Sequence, residues 1–474
     1  MISNEPRMRI ATLCATAACA TSCGSSDPEL LPPAGHLVVY VDTDAPVPSE
    51  DPVPDPTAPL PLFDRLLVEI FRPAETEPCQ GCSREFDITE QLLRAGGSFV
   101  IQHTGSGLRA RFRMFRIADV LDEGIPVDAS IDVVAALPTI GEEGSISGTV
   151  FLPTDSVGRP LGSLDSPIDL APGAPTAAHV GTWPGAQRVP CAGAARAGEV
   201  CVPGGAFWMG GVDAGRNPLL RRRLVVLSPY FLDAGEATVS AFRASGLATP
   251  LTVVPWSGST AGTVNVDYCT FTHEPDPARD ALPVTCVSWA GAKAFCEGRG
   301  AELPTEAELE FVAGGLRSTP YPWGRDEPTC DDAIWGRGVG AIWTAPTPCA
   351  EKLGLGTLEG PLTLGDPGAT AQPPRKRDFL LLESGALFDL AGNASEWSLD
   401  HYQVDDEPCW SPANIYADPV CATEGSAGPS HTMRGGSFVS VGMELRRGER
   451  TAGETGKAYP VTGFRCARKA AAEP

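Results

Sequence analysis

The cysteines constrain this chain more than any other feature. There are 15 among 474 residues. Cys14, Cys19 and Cys23 lie at the start. The other twelve are Cys79, Cys82, Cys191, Cys201, Cys269, Cys286, Cys296, Cys330, Cys349, Cys409, Cys421 and Cys466. An even set of that size in an exported chain reads as a disulfide framework built in an oxidising compartment. Neighbouring positions suggest Cys79–Cys82, Cys191–Cys201, Cys269–Cys286, Cys330–Cys349 and Cys409–Cys421, although sequence alone leaves the connectivity open. Cys79-Gln80-Gly81-Cys82 also invites a metal or redox reading. No second CxxC completes a zinc site and no βαβ pattern surrounds the motif, so a local disulfide in a hairpin is favoured.

Export itself is read from residues 1–22, taken as a lipoprotein signal peptide. Arg7 and Arg9 form a basic region, and residues 10–22 a weakly apolar run too short to span a bilayer. Met8 is a plausible true start, because the basic-then-apolar pattern opens there. The run closes on Ala20-Thr21-Ser22-Cys23-Gly24, which resembles a bacterial lipobox with Ala20 in place of the usual leucine. The resemblance implies cleavage before Cys23, lipidation of its thiol, and a membrane partner reached through that anchor. The expected location is the bacterial cell envelope, as an outer membrane lipoprotein. The alternative is an ordinary cleaved signal peptide with Cys23 incidental. Residues 23–35 read as a tether.

Charge and composition narrow the function classes. The formal net charge of −23 disfavours nucleic acid as a partner, because such a surface repels phosphate backbones. The six histidines are scattered, which makes a multi-histidine metal centre improbable unless the fold brings them together. Gly 52 and Pro 46 favour short strands and turns over long helices.

The expected fold class is α+β, in two domains. Strand-like runs at 36–44, 65–71, 99–102, 108–115, 130–136 and 144–152 are separated by Gly, Pro and Asp turns, with a helical turn at 90–94. This pattern predicts a sandwich-like, immunoglobulin-like β domain over 36–154. Residues 155–187 are rich in Gly, Pro, Ala and Ser and read as a linker. The second domain spans 188–470. It carries a helix pattern at 287–299, stopped by Gly300. A second helix opens on Thr305 and Glu308 as a capping box and ends at Gly314-Gly315.

Eight segments of this second domain, in order, carry a family likeness: Cys201-Val-Pro-Gly-Gly-Ala-Phe-Trp-Met-Gly-Gly211, Tyr230-Phe-Leu-Asp-Ala-Gly-Glu-Ala-Thr238, Pro283-Val-Thr-Cys-Val-Ser-Trp289, Leu303-Pro-Thr-Glu-Ala-Glu-Leu-Glu310, Tyr321-Pro-Trp-Gly324, Phe388-Asp-Leu-Ala-Gly-Asn-Ala-Ser-Glu-Trp397, Arg434-Gly-Gly-Ser437 and Gly463-Phe-Arg-Cys466. The domain resembles the formylglycine-generating-enzyme, or sulfatase-modifying factor, family. That resemblance implies a C-type-lectin-like fold with little regular secondary structure, and a Cys296–Cys466 disulfide.

The family's oxidase members carry two cysteines shortly after the Arg-Gly-Gly-Ser turn, which bind copper(I) and capture the substrate cysteine. Here Ser440 and Leu445 stand at or near those positions, and neither supplies a thiolate. Copper is therefore not expected. Calcium is: the resemblance implies a loop held through side chains at Asp389 and Glu396 and carbonyls at Gly392 and Ala394, an oxygen cage suited to a hard cation. The alternative is that Asn393 and Glu396 simply brace a turn. A second calcium loop after Asp331-Asp332 is not expected, because Ala333 replaces an asparagine.

Three readings follow. The first is a non-catalytic, surface-anchored module for an unknown protein or glycan ligand, with the insert 346–382 as one variable surface. Its basic cluster, Arg375-Lys376-Arg377, reads as a solvated loop. The second is a formylglycine-generating oxidase acting on sulfatases. The third is different chemistry in a cleft lined by Arg434, Ser437, Ser440, Glu444 and Arg450, although no histidine after Ser437 is placed to activate it.

Overall fold

The computed structural model describes residues 9–10, 35–50, 58–102, 106–120, 124–140, 145–211, 221–247, 269–337, 348–353, 360–363, 376–405, 407–410 and 415–470. The Cys23 lipidation position, all of the expected signal peptide except Arg9–Ile10, and all of the tether except Gly35 lie outside them. The chain divides after Gln187 into two compact units.

The first unit holds two five-stranded sheets. One orders its strands as Arg9–Ile10, Ser98–Gln102, His36–Thr43, Ser145–Leu152 and Ala171–Pro172. The other runs Ser83–Asp87, Arg65–Phe71, Arg109–Phe115, Ile131–Ala136 and Ile168–Asp169. Alternation drives their formation: Arg65–Phe71 buries Leu66, Val68 and Ile70 on one face, as a strand period of two requires. The sheets meet through rings such as Phe99 and Phe112, whose centroids are 6.2 Å apart. An immunoglobulin-like sheet is antiparallel throughout. Here His36–Thr43 pairs in parallel with Ser145–Leu152, from His36↔Ser145 to Thr43↔Leu152.

Residues 155–187, expected as a linker, belong instead to this unit. Two short strands extend its sheets, and Val180 and Trp183 are buried. His179 reaches Asp42 (Nδ1 to Oδ2, 2.5 Å), Gly181 N–H donates to the Ala45 carbonyl, and Trp183 Nε1 donates to Asp155. Sparse apolar periodicity hid a segment held by individual polar anchors.

The second unit is built from short strands and four helices among the described residues, Val239–Ala244, Trp289–Gly298, Glu306–Ala313 and Pro348–Leu353. Ser288 caps the Trp289–Gly298 helix, its side chain accepting from Gly291 N–H. Thr305 and Glu308 form the expected capping box. One core cluster gathers Phe242, Phe295, Trp397 and Phe464 around the Cys296–Cys466 disulfide. All twelve cysteines from Cys79 onward are paired, in the five neighbouring combinations and Cys296–Cys466.

Candidate functional site

The Glu306–Ala313 helix buries Leu309, Phe311, Val312 and Ala313, as its apolar spacing requires, but it also buries two acids one turn apart. Glu306 is 0% exposed and Glu310 1%. Buried carboxylates need partners, and arginines from distant strands supply them. Arg434, on Ser430–Arg434, places Nη2 2.5 Å from Glu306 Oε1 and 2.9 Å from Glu310 Oε2. Arg450 lays Nε 2.5 Å from Glu306 Oε1 and Nη2 2.7 Å from Oε2. Arg447 pairs with Glu310. Thr432 Oγ1 donates to Glu306 Oε2 at 3.2 Å. Burial alone pushes the Glu306 carboxyl up, but the arginines outweigh it and hold it below the ordinary range. Asp400 stands next to this cluster, accepting from the Glu306 and Cys421 amides. Burial, reinforced by the Glu306 charge, pushes its carboxyl up to about 7.

The expected cleft is therefore not formed as one site. Arg434 and Arg450 are buried braces on Glu306. Ser437 and Ser440 close a separate turn: Ser437 N–H donates to Ser440 Oγ at 3.0 Å, and Ser440 N–H to the Ser437 carbonyl at 3.0 Å. Glu444 accepts from Val441 N–H at 3.1 Å. Leu445 is fully buried in a cluster with Tyr321, Trp335 and the Cys330–Cys349 pair. A cavity touching Arg434, shared with Leu309, Leu390, Glu396 and Arg447, measures about 10 Å³, room for at most one water.

The loop expected to hold calcium is arranged differently. Asp389 and Glu396 are buried, and Arg465, 0% exposed, is buried against them. Arg465 gives Nε and Nη2 to both Glu396 oxygens at 2.6–2.9 Å and donates Nη2 to the Asp389 carbonyl at 3.0 Å. Glu236 takes the Ala394 amide and the Asn393 side-chain amide, both at 3.0 Å. Burial, together with Asp389 and Glu396 alongside, drives the Glu236 carboxyl well above its usual range. Both Glu396 oxygens accept from the Arg465 guanidinium. Among the described residues no group of three or more His, Cys, Asp or Glu is arranged to hold a metal. At the second, unexpected loop, Asp332 is engaged by Arg377 at 2.7 Å. The basic cluster is thus partly anchored; Arg375 lies outside the described residues.

Two features escaped the sequence. Glu236 had no signal beyond its place in the second family segment. His401 and His431, thirty positions apart, lie with ring centroids 4.2 Å apart and planes tilted by 30°, and Trp289 stacks on His431 at 3.6 Å. Burial first, and His401 second, depress His431 to about 3, so it stays neutral. Trp289, His431 and His401 thus form a run of packed rings. A wider cleft of about 710 Å³ opens elsewhere in this unit, lined by Glu236, Thr238, Ser245, Phe295 and the Asp233–Arg299 ion pair among Ala and Gly. None of the expected cleft residues lines it.

Comparison with known proteins bears on the same unit. The profile of the sulfatase-modifying factor enzyme 1-like domain matches residues 189–470. The formylglycine-generating enzyme of Thermomonospora curvata is 30% identical over 307 residues, covering 57% of this chain and 93% of that enzyme. That of Streptomyces coelicolor is 29% identical over 313 residues, covering 58% of this chain and 90% of the enzyme. The inactive C-alpha-formylglycine-generating enzyme 2 of Bos taurus is 35% identical over 128 residues, covering 27% of this chain and 35% of the relative.

Proposed function

The chain belongs to the sulfatase-modifying factor enzyme 1-like family through residues 189–470, and from that premise we propose that it is an exported, lipid-anchored envelope protein whose family domain binds a ligand and does not run the oxidase reaction. One observation carries the second half of this reading: every cysteine after Cys23 is committed to a disulfide. Copper(I) capture and attack on a substrate cysteine both require a thiolate. A disulfide sulfur supplies none. The residues at the matching positions, Ser440 and Leu445, are tied into a turn and a core cluster. Likeness to the bovine relative named as inactive is in keeping with this reading.

Anchoring rests on the Cys23 segment and the oxidising compartment that six disulfides require. The ligand, protein or glycan, would meet loops presented on a disulfide-stapled frame. The direct test incubates the mature protein with copper(I), oxygen and a cysteine-bearing sulfatase peptide, followed by mass spectrometry. The expected result is unmodified peptide. Conversion of its cysteine to formylglycine would establish the oxidase reading instead.

A further inference from the structure

We propose that the Ser98–Gln102 strand of the first unit is a strand-addition site. Given the export and cleavage proposed above, removal of residues 1–22 uncovers it, and an extended, basic segment of a partner polypeptide takes the place that Arg9–Ile10 holds. Arg9–Ile10 is the outermost strand of its sheet and pairs antiparallel with Ser98–Gln102, Arg9 opposite Gln102 and Ile10 opposite Ile101. Cleavage before Cys23 takes that strand away. Ser98–Gln102 then becomes an edge, paired on its inner side alone with His36–Thr43.

The register sets which backbone groups face that edge. Val41 N–H donates to the Gly97 carbonyl at 3.0 Å, one step beyond the Tyr40↔Ser98 pair. Residues of an antiparallel strand turn their N–H and C=O to alternate sides. Gly97, Phe99 and Ile101 therefore turn theirs toward His36–Thr43, and Ser98, Val100 and Gln102 turn theirs toward the edge. Open N–H and C=O groups at a sheet edge recruit further strands unless charge, proline or a bulge blocks them. The other three outer strands are blunted. Ser83–Asp87 carries Arg84, Glu85 and Asp87, Ile168–Asp169 ends on an acid, and Ala171–Pro172 ends on proline. Ser98-Phe-Val-Ile-Gln102 has neither charge nor proline. Phe99 and Ile101 are buried, which holds the strand in its sheet without Arg9–Ile10. Main-chain pairing gives an extended segment its affinity, and charge selects among segments. A net charge of −23 repels a second copy of this chain and draws a basic segment.

The test titrates a dye-labelled peptide of residues 7–12, Arg-Met-Arg-Ile-Ala-Thr, into the mature protein, its Val100→Pro variant and the uncleaved chain, read by fluorescence anisotropy. Proline at an edge position whose N–H faces outward leaves the inner ladder intact. Saturable binding to the mature protein is expected, about tenfold or more weaker in Val100→Pro and in the uncleaved chain. Replacing both peptide arginines with glutamate should weaken it as well. If Val100→Pro does not fold, hydrogen exchange decides: the Val100 and Gln102 amides should exchange faster in the mature protein than in the uncleaved chain or with peptide bound. Absence of binding, equal binding to the glutamate peptide, or exchange that neither cleavage nor peptide alters overturns the proposal. So does a dimer of the mature protein that Val100→Pro abolishes, which puts a second copy at the edge. The N-terminal mass of protein from its native envelope separates this from the export reading. A start at residue 1 overturns cleavage and the uncovering of the edge together, whereas a start at Cys23 without peptide binding overturns strand addition alone.

Discussion

Arg450 forks onto Glu306, Nε 2.5 Å from Oε1 and Nη2 2.7 Å from Oε2, across 144 positions of sequence. A residue expected to line a cleft is in fact a brace between the Arg450–Glu454 strand and the start of a buried helix. Together with Arg434, Arg447 and Glu310 it forms an ionic cluster in the interior of the domain. Such clusters fix geometry, because each buried carboxylate here is held by guanidiniums from distant strands.

Breaking that brace should damage stability more than surface ion pairs do. Glu306→Ala leaves two buried guanidiniums short of their counter-charge, at a cost of about 3–5 kcal/mol. Glu90→Ala, which removes an exposed pair with Arg94, should cost under about 0.5 kcal/mol. Denaturant midpoints of the two variants give the comparison, and similar values would contradict the assignment.

The pH response of the domain should reflect two opposing groups. His431 is depressed to about 3, so its contribution is present above an unfolded value of about 6.5 and is lost as pH falls toward 3. Asp400 is raised to about 7, so its contribution is present below about 4 and is lost as pH rises through 7. Between roughly pH 4 and 6.5 the two slopes oppose each other. His431→Phe removes the first, and its melting temperature relative to the parent should climb as the buffer is acidified below about 6.5. A constant difference across that range would exclude His431 as the titrating group.

Disulfide loss should scale with loop length. Cys296–Cys466 closes a separation of 170 residues and Cys79–Cys82 one of three. On the chain-entropy estimate the first contributes about 5 kcal/mol and the second about 2. Paired Cys→Ser variants of each, melted side by side, should rank in that order.

Reinstating cysteines should not restore chemistry. Leu445 is fully buried beside Tyr321 and Trp335, so Leu445→Cys deletes core volume and should cost about 2–3 kcal/mol. Ser440→Cys removes the oxygen that accepts the Ser437 amide, at about 1 kcal/mol. The double variant is expected to fold less stably and to leave the sulfatase peptide unmodified; measurable conversion would show that the surrounding scaffold still supports the oxidase.

Local signals in the sequence were readable because their causes are local. Thr305 and Glu308 cap a helix within one turn. The strand at Arg65–Phe71 alternates in place. Neighbouring cysteines bridge short loops. What could not be read depends on partners far along the chain. Glu306 at a helix start looks like an ordinary solvent-facing, dipole-matched acid, and only folding brings Arg434 and Arg450 to it. Arg465 gives no sign in its own segment that Glu396 lies against it. Residues 155–187 look like a linker because single contacts such as His179 with Asp42 leave no periodic trace.

The most direct measurement is an intact-mass count of free thiols, by alkylation without reduction, on mature protein from its native envelope. The account predicts none, with six disulfides intact and a lipid mass on Cys23. Two alkylated cysteines within residues 188–470 would contradict it and identify the pair on which oxidase chemistry could run.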